Sequence, residues 1–283
     1  MIRAVTVSAL CVVLAACGGS GGNAAAQRTF SYGAPIAATS DQLAAAQTPL
    51  DEALSFQGTQ DASAATSFTD PSHVTDALLG SLGTPVALDG AAARAALSMA
   101  RQPAASYLST DLTGFDDPAC VTQGPGSVRF DRCTVTVADP DVTGKGGIDG
   151  SVTLPNGTDL DWSLTVTFSL TSTSQGATVS ATLHRSGHLS VTPGTISGQL
   201  LQDLSVTVSA PGGSGTAAIA ESVDLHDLTY QTAPTRCITG GWLEARRVWT
   251  QRPSTSTADL ADRGVVVTWT GTCGTGTFAP SKS

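Results

Sequence analysis

Leu160, Trp162, Leu164, Val166, Phe168 and Leu170 alternate with Asp161, Ser163, Thr165, Thr167 and Ser169. A period of two predicts a half-buried β-strand with one apolar face. Weaker alternation of the same kind predicts strands over 128–137, 147–154, 179–183, 204–208, 219–230, 242–249 and 265–272. Between two of them lies Pro155-Asn156-Gly157, whose Asn-Gly pair tolerates the positive φ angles of a type I′ hairpin turn. Long strands joined by short turns, without a βαβ pattern, predict a mainly β fold. Its expected form is an antiparallel meander that curves into a half-barrel or splits into a β-sandwich.

Upstream of Cys120 the pattern changes to Ala-rich stretches with helix signals. Ser40 and Asp41 precede Leu43 and Ala46, Asp70-Pro71 precedes a short helix ending at Gly80, and Asp89 precedes an Ala-rich run over 91–101. Helices this short and weakly amphipathic are marginal alone in water, so they are expected on the sheet or at its edge. The chain divides accordingly into an Ala-rich helical region, 29–119, and an antiparallel β domain, 120–283.

With 41% hydrophobic residues among 283, the chain can build a core, while only 13% charge and abundant Thr, Ser and Gly favour β structure. The formal net charge of -9 and the lack of any basic cluster denser than Arg246-Arg247 argue against nucleic acid as a partner. Such binding needs clustered Lys and Arg to displace counterions.

The N-terminus carries the most specific signal. After Arg3 comes an apolar run, 4–16, shorter than the roughly 20 residues needed to span a bilayer. It ends in Leu14-Ala15-Ala16-Cys17 and is followed by Gly18-Gly19-Ser20-Gly21-Gly22. That order resembles a bacterial lipoprotein signal peptide with its lipobox. The resemblance implies that residues 1–16 are cleaved and that Cys17 carries lipid. It also implies that the chain meets the membrane through acyl chains worth about 0.8 kcal/mol per buried methylene, outside the cytoplasm. Gly18, where an aspartate would favour inner-membrane retention, resembles the outer-membrane class of a Gram-negative host. The Gly/Ser/Ala/Asn composition of 17–28 predicts a flexible tether. From Cys120 onward the chain also resembles β-rich bacterial lipoproteins in Arg129-Phe130-Asp131-Arg132-Cys133, the strand led by Gly147, and Thr270 to Cys273. That likeness brings no activity with it.

Of six cysteines, Cys11 leaves with the signal and Cys17 is acylated, so Cys120, Cys133, Cys237 and Cys273 remain, with three pairings open. Cys120–Cys133 and Cys237–Cys273 are expected, because each pair flanks a local strand unit. An oxidising exterior favours disulfides over a zinc site, and no Cys-x-x-Cys is present.

Other chemistry is sparse. The segment 18–22 formally matches a nucleophile elbow but has no strand before it or helix after it. Asp139-Pro140-Asp141 departs from a calcium loop at Thr143 and Gly150, and is expected to be a polar hairpin turn. His184, His188 and His226, the last beside Asp224, are the enzyme-like hint. On a continuous strand the first two would stand about 13 Å apart, so only a turn at Ser186-Gly187 would join them. Trp162 and Trp269 are expected in the core, and Trp242 and Trp249 on opposite faces with one exposed.

Two classes of function follow. One is a lipid-anchored, non-enzymatic binding or structural β domain of the cell envelope, whose curved sheet would hold an apolar ligand or an envelope protein. The other is a surface hydrolase or metal-dependent enzyme using His184, His188, His226 and Asp224. The sequence favours the first, and assigns no catalytic residue, metal or cofactor.

Overall fold

The computed structural model describes residues 22–60, 70–80, 115–138, 140, 142–173, 176–211, 213–252 and 260–282. The segment expected to be a signal peptide, Cys17, the helix expected over 91–101, Asp139 and Asp141 lie outside the described residues.

Eleven strands form one open sheet in which every neighbouring pair is antiparallel. They are β1 (Ile36–Ala37), β2 (Val121–Gly124), β3 (Ser127–Ala138), β4 (Val142–Thr153), β5 (Asp159–Ser172), β6 (Thr178–Thr192), β7 (Thr195–Ala210), β8 (Gly213–Gln231), β9 (Cys237–Gln251), β10 (Arg263–Trp269) and β11 (Gly276–Pro280). Strands β2 to β11 follow one another as a meander, and β1 joins beyond β11, so the sandwich alternative is not formed. Strands β6 and β7 run well past the apolar runs at 179–183 and 204–208, because Arg185, Gly187 and Gln202 interrupt the apolar face without interrupting the pleat.

Gly187 lies inside unbroken β6 where the sequence allows a turn. It faces Trp162 across the strand pair, and a Cβ there would stand 2.2 Å from Trp162 Cζ2. The glycine seats the indole. The type I′ turn also does not form. Only Gly157 has a positive φ, 78°, while Asn156 Oδ1 accepts the backbone N–H groups of Thr158 and Asp159 at 3.2 and 2.9 Å. The Asn side chain thus turns the chain by capping, at a negative φ of its own.

Three helices are described: α1 (Ala24–Gln27), α2 (Ser40–Thr59) and α3 (Ser72–Leu79). Helix α2 starts at a capping box, in which the Thr39 hydroxyl accepts the Gln42 N–H and the Gln42 side chain accepts the Thr39 N–H. Its buried stripe of Leu43, Ala46, Leu50, Ala53 and Phe56 joins one core with residues of β3 to β11.

The ends of α2 reveal curvature. Leu43 packs on Gly276 of β11, where an added Cβ would come within 2.9 Å of its Cδ2, and Gln60 Oε1 accepts the N–H of Gly126 in the β2–β3 turn at 3.0 Å. Those ends are about 25 Å apart along the helix axis, whereas β11 and β3 would be roughly 38 Å apart in a flat sheet. The sheet therefore bows around α2, which lies across its inner face.

Residues 23–28, expected in the flexible tether, are seated on the outer face instead. Asn23 Oδ1 caps α1 by accepting the N–H groups of Ala25 and Ala26, its Nδ2 donates to the Gln202 carbonyl at 2.9 Å, and Ala25 is fully buried with Ala220 and Val248. Composition alone misled here, because Ala25 finds an apolar patch to cover. The cysteines stand as expected: Cys120 is paired with Cys133 and Cys237 with Cys273, at Cα separations of 5.2 and 5.7 Å.

Candidate functional site

Strand register carries a row of polar residues across the inner face: Arg185 of β6 opposite Gln202 of β7, Gln202 opposite Glu221 of β8, and Glu221 opposite Arg247 of β9. All four are at most 3% exposed. Each occupies an apolar-face position in its own strand, so four successive strands interrupt their hydrophobic stripe at one level. Arg185 Nε donates to Gln202 Oε1 at 2.9 Å, Gln202 Nε2 to Glu221 Oε2 at 2.8 Å, and Arg247 Nε to Glu221 Oε1 at 2.6 Å.

Helix α3 closes this row from above. Asp70, just before the helix, meets Arg185 at 2.6 Å; Thr75 Oγ1 donates to Glu221 Oε1 at 2.7 Å; and Arg247 Nη1 donates to the Gly80 carbonyl at 2.8 Å. Asp76 also pairs with Arg247. Burial opposes the Arg247 charge, but Glu221 and Asp76 outweigh it and hold its pKa above the ordinary arginine value. These charges are expended on one another and on α3, an arrangement that positions a helix.

Beyond the row, Val179, Ala181, Val206 and Val208, with Phe168 and Leu204, form an apolar group separate from the main core. Among the described residues it is made by β5, β6 and β7 alone. The row thus divides the inner face into a part packed against α2 and α3 and a second apolar part whose Val179, Ala181, Val206 and Val208 are also buried.

The outer face carries a second polar cluster. Arg246 bridges Asp224, at 2.9 Å, and Glu244, while Tyr32 donates to Glu244 and Gln199 to Asp224. Burial raises the pKa of Asp224 and, with Glu244, that of Tyr32. Arg246 and Arg247, the adjacent basic pair, therefore point to opposite faces and are each paired with acids.

The sequence-proposed enzyme residues do not converge. His184 and His188 both lie on the outer face of continuous β6; His184 contacts Thr165 at 3.3 Å and His188 contacts Asp161 at 2.7 Å. His226 stacks on Trp242, with ring centroids 3.5 Å apart. Ser222, Asp224 and His226 share the outer face of β8, and Ser222 Oγ is buried with no hydrogen-bond partner among the described residues. Asp224 stands between the other two, however, which leaves His226 about 13 Å from Ser222 along the strand. A serine nucleophile needs its base within hydrogen-bond reach. Among the described residues no three His, Cys, Asp or Glu are placed to hold a metal ion. Trp162 and Trp269 are in the core, and Trp242 and Trp249 take opposite faces with Trp242 the less buried.

The buried row and its partners on α3 were missed by sequence reasoning. Its signal was available: Arg185, Gln202, Glu221 and Arg247 each sit two residues from an apolar residue on the same face. No protein family, no curated protein and no solved structure matches this chain.

Proposed function

We propose that this is a lipid-anchored cell-envelope protein, held outside the cytoplasm through Cys17, whose β domain is a non-enzymatic binding module for an apolar, acyl-like ligand. In a Gram-negative host the position of Gly18 assigns it to the outer membrane. The observation that carries the binding reading is the separate apolar group on β5–β7, itself buried and set apart from the main core by the buried polar row. Ligand sites are mostly apolar and concave with a few placed polar groups, and this end of the inner face has that composition.

The chain from Gly18 onward, exported behind an ordinary signal, is expected to bind a dansyl-labelled fatty acid saturably. Val206→Arg should abolish binding while the far-ultraviolet circular dichroism spectrum stays unchanged. Absence of saturable binding by the unsubstituted chain overturns the ligand reading. Anchoring is tested separately: Cys17→Ser should leave an uncleaved precursor that incorporates no labelled fatty acid, and unchanged acylation overturns the lipoprotein reading.

A further inference from the structure

We infer that the outer face of the sheet rests against the headgroup layer of the bilayer holding the lipid, so that the inner face with α2 and α3 is turned away from it. The inference rests on lipidation at Cys17 and adds an orientation to it.

The N-terminal segment is fixed at the middle of the outer face. Asn23 bonds to the Gln202 carbonyl, Ala25 is fully buried between Ala220 and Val248, and Arg246 Nη1 donates to the Ala26 carbonyl at 3.3 Å. Farther on, Arg28 meets Asp262 at 3.7 Å and Tyr32 bonds to Glu244. Strand β7 is sixth of the eleven in the sheet, and Gln202 lies near the middle of its Thr195–Ala210 span. From that point it is about 24 Å to either edge of the sheet and about 23 Å to the nearer strand end.

Cys17 precedes Asn23 by six residues. Fully extended, six residues reach at most about 20 Å. A lipid on Cys17 therefore cannot pass around an edge to the inner side, and the bilayer surface must lie within that reach of the outer-face centre.

The chemistry of that face fits contact without insertion. Register places Thr167, Thr182, Thr207 and Ser205 there, hydroxyls suited to headgroup phosphate and glycerol oxygens. Lys145 and Arg246 share that face with Asp149, Asp161, Asp203, Asp224 and Glu244, so it is acidic on balance and is held to the surface by the lipid rather than by charge. Among the described residues the exposed large apolar side chain is Ile36, on the edge strand β1, so nothing at the centre of the face is built to enter hydrocarbon.

The test uses the full lipidated protein in vesicles of phosphatidylethanolamine and phosphatidylglycerol carrying a nitroxide on the headgroup. A fluorophore is attached at Thr207→Cys on the outer face or at Ser55→Cys on α2, and mass spectrometry of the N-terminal peptide reads acylation. Several-fold stronger quenching at position 207 than at 55 is expected. Inserting a twenty-residue Gly-Ser stretch between Gly21 and Gly22 should erase that difference without changing acylation. Equal quenching at the two positions in the acylated protein overturns the orientation and leaves lipid anchoring intact. A difference that survives the insertion also overturns it, because orientation would then not come from the short anchor. An unacylated Cys17 overturns both readings.

Discussion

At the residue scale, the most consequential choice in this chain is Glu221 in the middle of an otherwise apolar strand face. Its carboxylate is 1% exposed and takes hydrogen bonds from Gln202, Thr75 and Arg247. Removing one partner of a buried ion pair costs about 3–5 kcal/mol, because the other charge is left uncompensated, whereas replacing both with apolar groups can be neutral. Arg247→Met should therefore lower the unfolding free energy by about that amount, and adding Glu221→Leu should recover much of the loss. A urea denaturation cycle on the four proteins measures it. Additive losses would show that the two side chains act independently and that the row is not a coupled unit.

At the element scale, α3 is joined to its surroundings by charge as much as by Val74, Leu78 and Leu79. His73 adds a titratable link, with Nδ1 3.6 Å from Glu52 of α2 and Nε2 3.9 Å from Asp70. The Glu52 hydrogen bond raises its pKa above 6.5; desolvation and Arg185 oppose the rise, and Asp70 supports it. Since the folded protein binds this proton more tightly than the unfolded chain, the contribution is fully present below 6.5 and is lost as pH rises through the raised value. His73→Gln should thus flatten the fall in urea midpoint over that range. An identical fall in the variant would remove His73 from the linkage.

What could be seen in the sequence at this scale follows from which forces are local. The period of two over Leu160–Leu170, the Asp70 and Gly80 boundaries and the strand-flanking cysteines are local patterns, and they give the β meander, α3 and the cysteine pairs. The whole of β6, the seating of Trp162 on Gly187 and the docking of Ala25 depend on residues far along the chain. Helix α2 continues through Pro49, normally a helix breaker, because the apolar stripe on both sides of it is anchored in the core. His184 and His188 stay apart, as the sequence spacing requires of a continuous strand, because β6 runs through Ser186-Gly187 without a turn.

At the scale of the whole molecule, an open sheet must manage two edges, since unpaired strand edges recruit other chains. Here the edge strands are short, β1 with 2 residues and β2 with 4, and each cysteine pair fastens the sheet close to one of them. Cys120 leads into β2 and is paired with Cys133 in β3, while Cys237 opens β9 and is paired with Cys273 between β10 and β11. The sequence separations are 13 and 36 residues. In the chain-entropy model, closing loops of these sizes contributes about 3 and about 4 kcal/mol respectively. Replacing Cys237 and Cys273 together with alanine should therefore lower the unfolding free energy more than replacing Cys120 and Cys133. The 120/133 variant, with its β2 edge loosened, should show the greater concentration-dependent self-association. Urea unfolding with light scattering on the two double variants reads both quantities. If the shorter loop proved the costlier to open and neither variant self-associated, the pairs would not act as edge fasteners, and the short edge strands would have to protect the sheet unaided.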